Sequence, residues 1–149
     1  MQHNSRILVA ALAAVMFTLP AFAGGFWITL GNPEASSEAR AMNAVLTLMP
    51  TGCGNPAEAK LTATAEGMVN GKRTSVPLSV KALSKPGLHA ISKHWPAEGK
   101  WVIRVVASYE GSQTSVIVPF DGNAAVRKSA KFSQGAATSQ DAATLLASN

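Results

Sequence analysis

"KWVIRVVASYEGSQTSVIVPF", residues 100–120, is the stretch whose reading decides the fold. Trp101, Ile103, Val105, Ala107 and Tyr109 alternate with Val102, Arg104, Val106 and Ser108. Successive side chains of an extended chain point to opposite faces, so a period of two places the first set on one face, toward a core. Glu110-Gly111 supplies a turn, after which Thr114, Val116, Val118 and Phe120 resume the alternation. The expected product is an antiparallel hairpin with Trp101, Ile103, Val105, Tyr109, Val116 and Val118 in the core.

The same period runs outward from this hairpin. In "AEAKLTATAEG", residues 57–67, Leu61, Ala63 and Ala65 oppose Lys60, Thr62, Thr64 and Glu66. Asn70-Gly71 marks a turn, because both residues tolerate positive φ. "KRTSVPLSVKAL", residues 72–83, then carries Val76, Leu78 and Val80 on one face. Pro77 has no N–H to give to a ladder, which assigns this strand to an edge or a bulge. "NAVLTLM", residues 43–49, and "FWITL", residues 26–30, are further strand candidates. "NPEASSEARAM", residues 32–42, has the start of a short helix, with Asn32 as N-cap and Pro33 in the first turn. Six to seven short strands with turn signals at near-regular spacing specify an all-β chain, an immunoglobulin-like antiparallel β-sandwich.

The N-terminus is of another kind. A polar start with Arg6, an apolar run from Ile7 to Leu19, Pro20 and the small-residue pattern Ala21-Phe22-Ala23 read as a secretory signal peptide cleaved after Ala23. The apolar run is shorter than the roughly 20 residues that span a bilayer, and no later segment is long enough to do so. Residues 1–23 are thus assigned to the signal peptide, 24–121 to the sandwich, and 122–149, poor in bulky residues, to a flexible Ala/Ser-rich tail with a weak helix near "SQDAATLLAS". The protein is expected in the periplasm or outside the cell, with no membrane span after cleavage.

Charge excludes one large class. The full chain carries 13 Lys and Arg against 8 Asp and Glu, a net charge of +5, and loss of Arg6 lowers this to +4. The basic residues are scattered rather than clustered with aromatics, which argues against nucleic acid. A mild affinity for anionic lipid or an envelope polymer is compatible with them. Cys53 is the only cysteine. Lying in "PTGCGNP" with no histidine nearby, it is expected to be buried beneath its loop, as free cysteines commonly are.

"GLHAISKHWPAEGKW", residues 87–101, holds the only two histidines after residue 23. On a strand, His89 and His94 would face opposite sides about 16 Å apart, and on a helix they would diverge by about 140°, whereas one metal ion holds its nitrogen ligands at about 2 Å. They are not expected to share an ion. Neither histidine lies near a nucleophile elbow, and the carboxylates are dispersed over turns and solvent faces, so the chain does not read as an enzyme.

"KPGLHAISKHWPAEGKWVIRVVAS", residues 85–108, resembles the late hairpin of exported bacterial Ig-like modules of the YtkA-like and FixH-like group, which has copper-handling CopC-like relatives. The resemblance spans about residues 76–108 and implies the sandwich fold. In such families metal ligands are histidines and methionines near the sandwich ends, and no ligand motif of theirs carries over here.

Two functions follow as expectations. The first is a non-catalytic envelope module that binds a protein or a polymer, with the Pro77 strand and Trp27, Trp95 and Trp101 as contributors to its surface, although Trp101 fits the core better. It needs no cofactor. The second is a copper-handling protein with ligands drawn from His89, His94, Cys53, Met42, Met49 and Met68, since soft sulfur suits Cu(I).

Overall fold

The computed structural model describes residues 25–148. The signal peptide assigned to residues 1–23 therefore lies outside the described residues. Strands β1 (Trp27–Gly31), β2 (Ala44–Thr51), β3 (Lys60–Val69), β4 (Lys72–Leu78), β5 (Val80–Ala82), β6 (His89–Ser92), β7 (Lys100–Tyr109) and β8 (Ser112–Asp121) form two packed antiparallel sheets. One has the order β1-β2-β6-β5, and the other contains the run β8-β7-β3-β4. These are the ABED and CFG sheets of an immunoglobulin-like sandwich, with β4 added at the outer edge of strand C.

The decisive hairpin is β7 and β8, with Trp101 opposite Phe120, Ile103 opposite Val118 and Val105 opposite Val116. Its turn has positive φ at both Glu110 (46°) and Gly111 (77°), and the β3–β4 turn repeats this at Asn70 (49°) and Gly71 (75°). Turns with two positive φ values match the twist of a hairpin. Pro77 lies on β4, at the edge of its sheet. Ser79 breaks the chain between β4 and β5, and the two strands belong to opposite sheets.

Between the sheets lie Ile28, Leu46, Leu48, Ile91, Ile103, Val105, Val116 and Val118, all at most 2% exposed. Trp101 joins them in a particular way. Its cross-strand neighbour is Gly67, and a Cβ at that position would stand only 2.5 Å from the indole ring. The bare glycine backbone is therefore the seat of the ring. Trp95 meets Phe120 edge-on, with centroids 5.2 Å apart, and lies 6.3 Å from Trp101. The Trp101 Nε1–H donates to the Glu98 carbonyl at 2.7 Å, tying the β6–β7 loop to this cluster.

Three expectations about placement are corrected. Trp95, assigned to the surface, is only 6% exposed, because the loop after β6 folds inward onto Trp101 and Phe120. Tyr109, assigned to the core, is half-buried at the rim, where its hydroxyl accepts from the Asn55 N–H and its ring tilts against Phe26. Residues 122–149, assigned to a flexible tail with a weak helix near "SQDAATLLAS", hold that helix as α2 (Ser139–Ser148) but also contribute two strands, β9 (Ala124–Ala125) and β10 (Lys131–Gln134). β9 and β10 both pair with β8, so the second sheet has six strands and the total exceeds the six to seven expected.

α2 has a physical cause legible in its residues. Thr138 and Asp141 form a reciprocal capping box: the Thr138 N–H donates to Asp141 Oδ2 at 2.7 Å, and the Asp141 N–H donates to Thr138 Oγ1 at 3.2 Å. Ala142, Leu145 and Leu146 then share one face and pack on Val102 and Ile117, on the outer side of β7 and β8. Burying each leucine contributes about 1.5–3 kcal/mol.

The helix also closes over charge. Glu66, expected on a solvent face, is 3% exposed. Its carboxylate pairs with the Arg104 Nε at 2.8 Å and with Arg73 at 3.5 Å. Both arginines reach on to the segment entering α2, Arg104 to the Ala137 carbonyl at 3.2 Å and Arg73 to that of Ser139 at 2.9 Å.

Two substitutions test this account. Trp101→Ala is expected to destabilise the domain by about 3–5 kcal/mol, read as a lowered denaturation midpoint, since a large cavity opens above Gly67. Arg104→Ala should cost about 1–3 kcal/mol by leaving Glu66 buried with only the longer Arg73 contact. An unchanged urea midpoint in that variant would contradict the clamp.

Candidate functional site

The groups nominated for metal sit on several separate elements. His89, on β6, is half-buried with its Nδ1 2.9 Å from the Gly87 carbonyl. His94 is exposed beyond the end of β6, with its Nδ1 3.1 Å from the Ser92 carbonyl. Met42 packs beside Ala39, Leu83 and Ala90 on the outer side of the first sheet. Met49 is half-buried on β2, and Met68 is exposed on β3. Met42 and His94 line a common cavity, and Lys81 and Lys93 line it too. Among the described residues no group of three or more His, Cys, Asp or Glu side chains is placed to hold a metal ion.

Cys53 corrects a further expectation, because it is exposed rather than buried. The close approach in its loop is made by Gly52 instead. A Cβ there would fall 2.5 Å from the Gly25 carbonyl oxygen, so the glycine packs inward and the cysteine is carried to the surface.

A concave polar feature lies elsewhere, at one end of the sandwich. Asn32 ends the chain leaving β1, and its side chain accepts from the Glu34 N–H, capping a single 3-10 turn (Pro33–Ala35). Ser36 caps the helix α1 (Ser37–Ala41) in the same way, through the Ala39 N–H. From the other sheet, the β8–β9 turn brings Asn123, and the chain after β9 brings Arg127. Asn32, Glu34, Arg40, Asn43, Asn123 and Arg127 surround an open cleft of about 530 Å³, with Pro33, Ala44, Val45, Ala124 and Ala125 along it.

Both arginines in the cleft are anchored through backbone rather than through acid. Arg40 donates to the Glu34 carbonyl at 2.6 Å, and Arg127 donates to that of Gly31 at 3.3 Å, linking the two sheets. Among the described residues the ion pairs within 4 Å are those of Glu66, so neither cleft arginine faces a carboxylate at that distance. The neighbouring cavity of Met42 and His94 shares Asn43, Val45 and Asn123 with the cleft, and there Lys93 donates to Asn123 Oδ1 at 2.7 Å.

None of the cleft residues was singled out from sequence as a site, apart from Asn32 as a helix cap. They come from three separate segments, 32–34, 40–45 and 123–127, with no motif in any of them. The cap signals at Asn32 and Ser36 locate one wall, but nothing in the sequence places Asn123 and Arg127 opposite it.

Compared with family models, curated proteins and solved structures, the chain matches none. No helix among the described residues is long and apolar enough to cross a membrane.

α1 is held to the β5–β6 connection by Glu38, whose Oε2 accepts from the Ser84 N–H at 2.9 Å and the Ser84 hydroxyl at 2.8 Å. The backbone bond first, then the hydroxyl, holds this carboxyl below its ordinary value of 4.5. A group whose folded pKa is depressed stabilises fully above its unfolded value and loses that contribution as pH falls through the folded one. Glu38→Gln is therefore expected to be less stable than wild type at neutral pH, with the two converging as pH drops below 4.5. Chemical denaturation across a pH series measures this, and a pH-independent difference would contradict it.

Proposed function

We propose that the chain is an exported, non-catalytic immunoglobulin-like binding module of the cell envelope, and that it engages its partner at the cleft between the two sheet ends. The observation that carries this reading is the pair Arg40 and Arg127, which come from α1 and from the chain after β9 to line one polar cavity of about 530 Å³ and are anchored by the Glu34 and Gly31 carbonyls. That volume falls within the roughly 300–1,000 Å³ of small-ligand sites. Binding residues commonly sit on loops held by a rigid scaffold, and here the scaffold is the sandwich.

The leader features of residues 1–23 support export, and the likeness of residues 85–108 to exported bacterial modules agrees with it. Copper handling is the weaker reading. The cavity shared by Met42 and His94 also holds Lys81 and Lys93, whose charge opposes a metal cation.

A photocrosslinking residue placed at Asn43, inside the cleft, is expected to capture one dominant envelope component in intact cells. The same residue at Lys60, an exposed position outside the cleft, should not capture it. Equal capture from both positions, or capture from Lys60 alone, would remove the cleft as the site.

A further inference from the structure

The hydrogen-bonding state of the cleft narrows what it can hold, and we infer that it is an oxyanion site, taking a carboxylate or phosphate group of its ligand. This rests on the cleft being the binding site. Two side-chain acceptor oxygens of its walls are used from within. Asn32 Oδ1 already accepts from the Glu34 N–H at 3.1 Å, and Asn123 Oδ1 from the Lys93 ammonium at 2.7 Å. Because each donor is unambiguous, each amide is fixed with its carbonyl engaged and its NH2 group left over.

The guanidinium groups repeat the pattern. Arg40 and Arg127 each donate through Nη1 to a backbone carbonyl, and a guanidinium has five N–H donors. Besides the Glu34 carboxylate and the Asn43 amide in its lining, the cleft therefore offers an incoming molecule these donors and the positive charges of Arg40 and Arg127. A neutral, hydroxyl-rich ligand needs acceptors as well as donors and would leave much of this set unused. A group with several acceptor oxygens and a negative charge satisfies it, and the fork of arginine matches carboxylate and phosphate alike.

The surroundings favour the same sign of charge. Lys93 lies at the adjoining cavity, and Lys128 continues the surface beyond Arg127, while Glu34 and Asp121 are the acidic residues of the same region. Anchoring to Glu34 and Gly31 carbonyls limits how far the arginines must be ordered on binding, which favours affinity.

The test is a titration of the purified protein with inorganic phosphate, with glucuronate and with neutral glucose, followed by calorimetry and by NMR shifts of the Asn32, Asn43 and Asn123 side-chain amides. Saturable one-to-one binding of phosphate or glucuronate, shifting those amides and weakening with added salt, is expected, with glucose inert. Phosphate alone would identify a phosphoryl source, and glucuronate alone a carboxylate source. Asn123→Asp, which adds a negative charge at an exposed turn and spares the core, should weaken the anion about tenfold, as should Arg40→Gln/Arg127→Gln. Lys60→Gln should not. No saturable anion binding, equal binding of glucose, or undiminished binding by the folded Asn123→Asp protein would overturn the inference. Crosslinking from Asn43 in the absence of anion binding would overturn only the oxyanion assignment and leave the binding module standing.

Discussion

Trp101 resting on Gly67 is the contact on which the rest of this sandwich depends. The ring takes the space that any Cβ on β3 would occupy, so β3 and β7 can pair only with glycine at that point of the register. A slip of one residue would turn every side chain of a strand to its other face. From the same ring the order spreads to the opposite strand through Phe120, to the β6–β7 loop through Trp95 and the Glu98 carbonyl, and so from one sheet to the other. Aromatic rings supply much of a core's buried area, and here three of them meet at one end of it.

The fold was legible because its main signal is local. Alternation in residues 100–120 located β7, β8 and most of their inward residues, the Asn-Gly and Glu-Gly turns located two hairpins, and Pro77 identified an edge. What escaped was whatever depended on a second layer. Val102 and Ile117 occupy positions that a two-layer sandwich leaves to solvent, and their apolar character makes sense only with α2 laid over them. The helix itself was legible near "SQDAATLLAS", behind the Thr138-x-x-Asp141 cap, but not that Ala142, Leu145 and Leu146 would lay it over the sheet. Glu66 followed the same logic: an outward carboxylate on the alternation becomes a buried one once α2 covers it.

The cleft was not legible at all, and for a different reason. Periodicity describes elements, whereas the cleft is made where elements end. Asn32 precedes α1 and Arg40 sits in its last turn, while Asn123 and Arg127 flank β9, about 80 residues on in the chain but joined to them across the sandwich. The histidines that attracted notice in the sequence instead turn each Nδ1 toward a carbonyl two residues back, a local habit of the backbone that brings no second ligand.

The two edges of the larger sheet are unlike. β4 presents Pro77, which has no hydrogen to donate, and the charges of Lys72 and Arg73, while β10 presents a run of four exposed residues with Phe132 more than half uncovered. One edge is thus guarded against further strands and the other is not. The consequence concerns strand addition: on β4 the missing Pro77 hydrogen withholds one donor from an incoming strand and Lys72 and Arg73 surround it with charge, so β10 is the more receptive of the two edges.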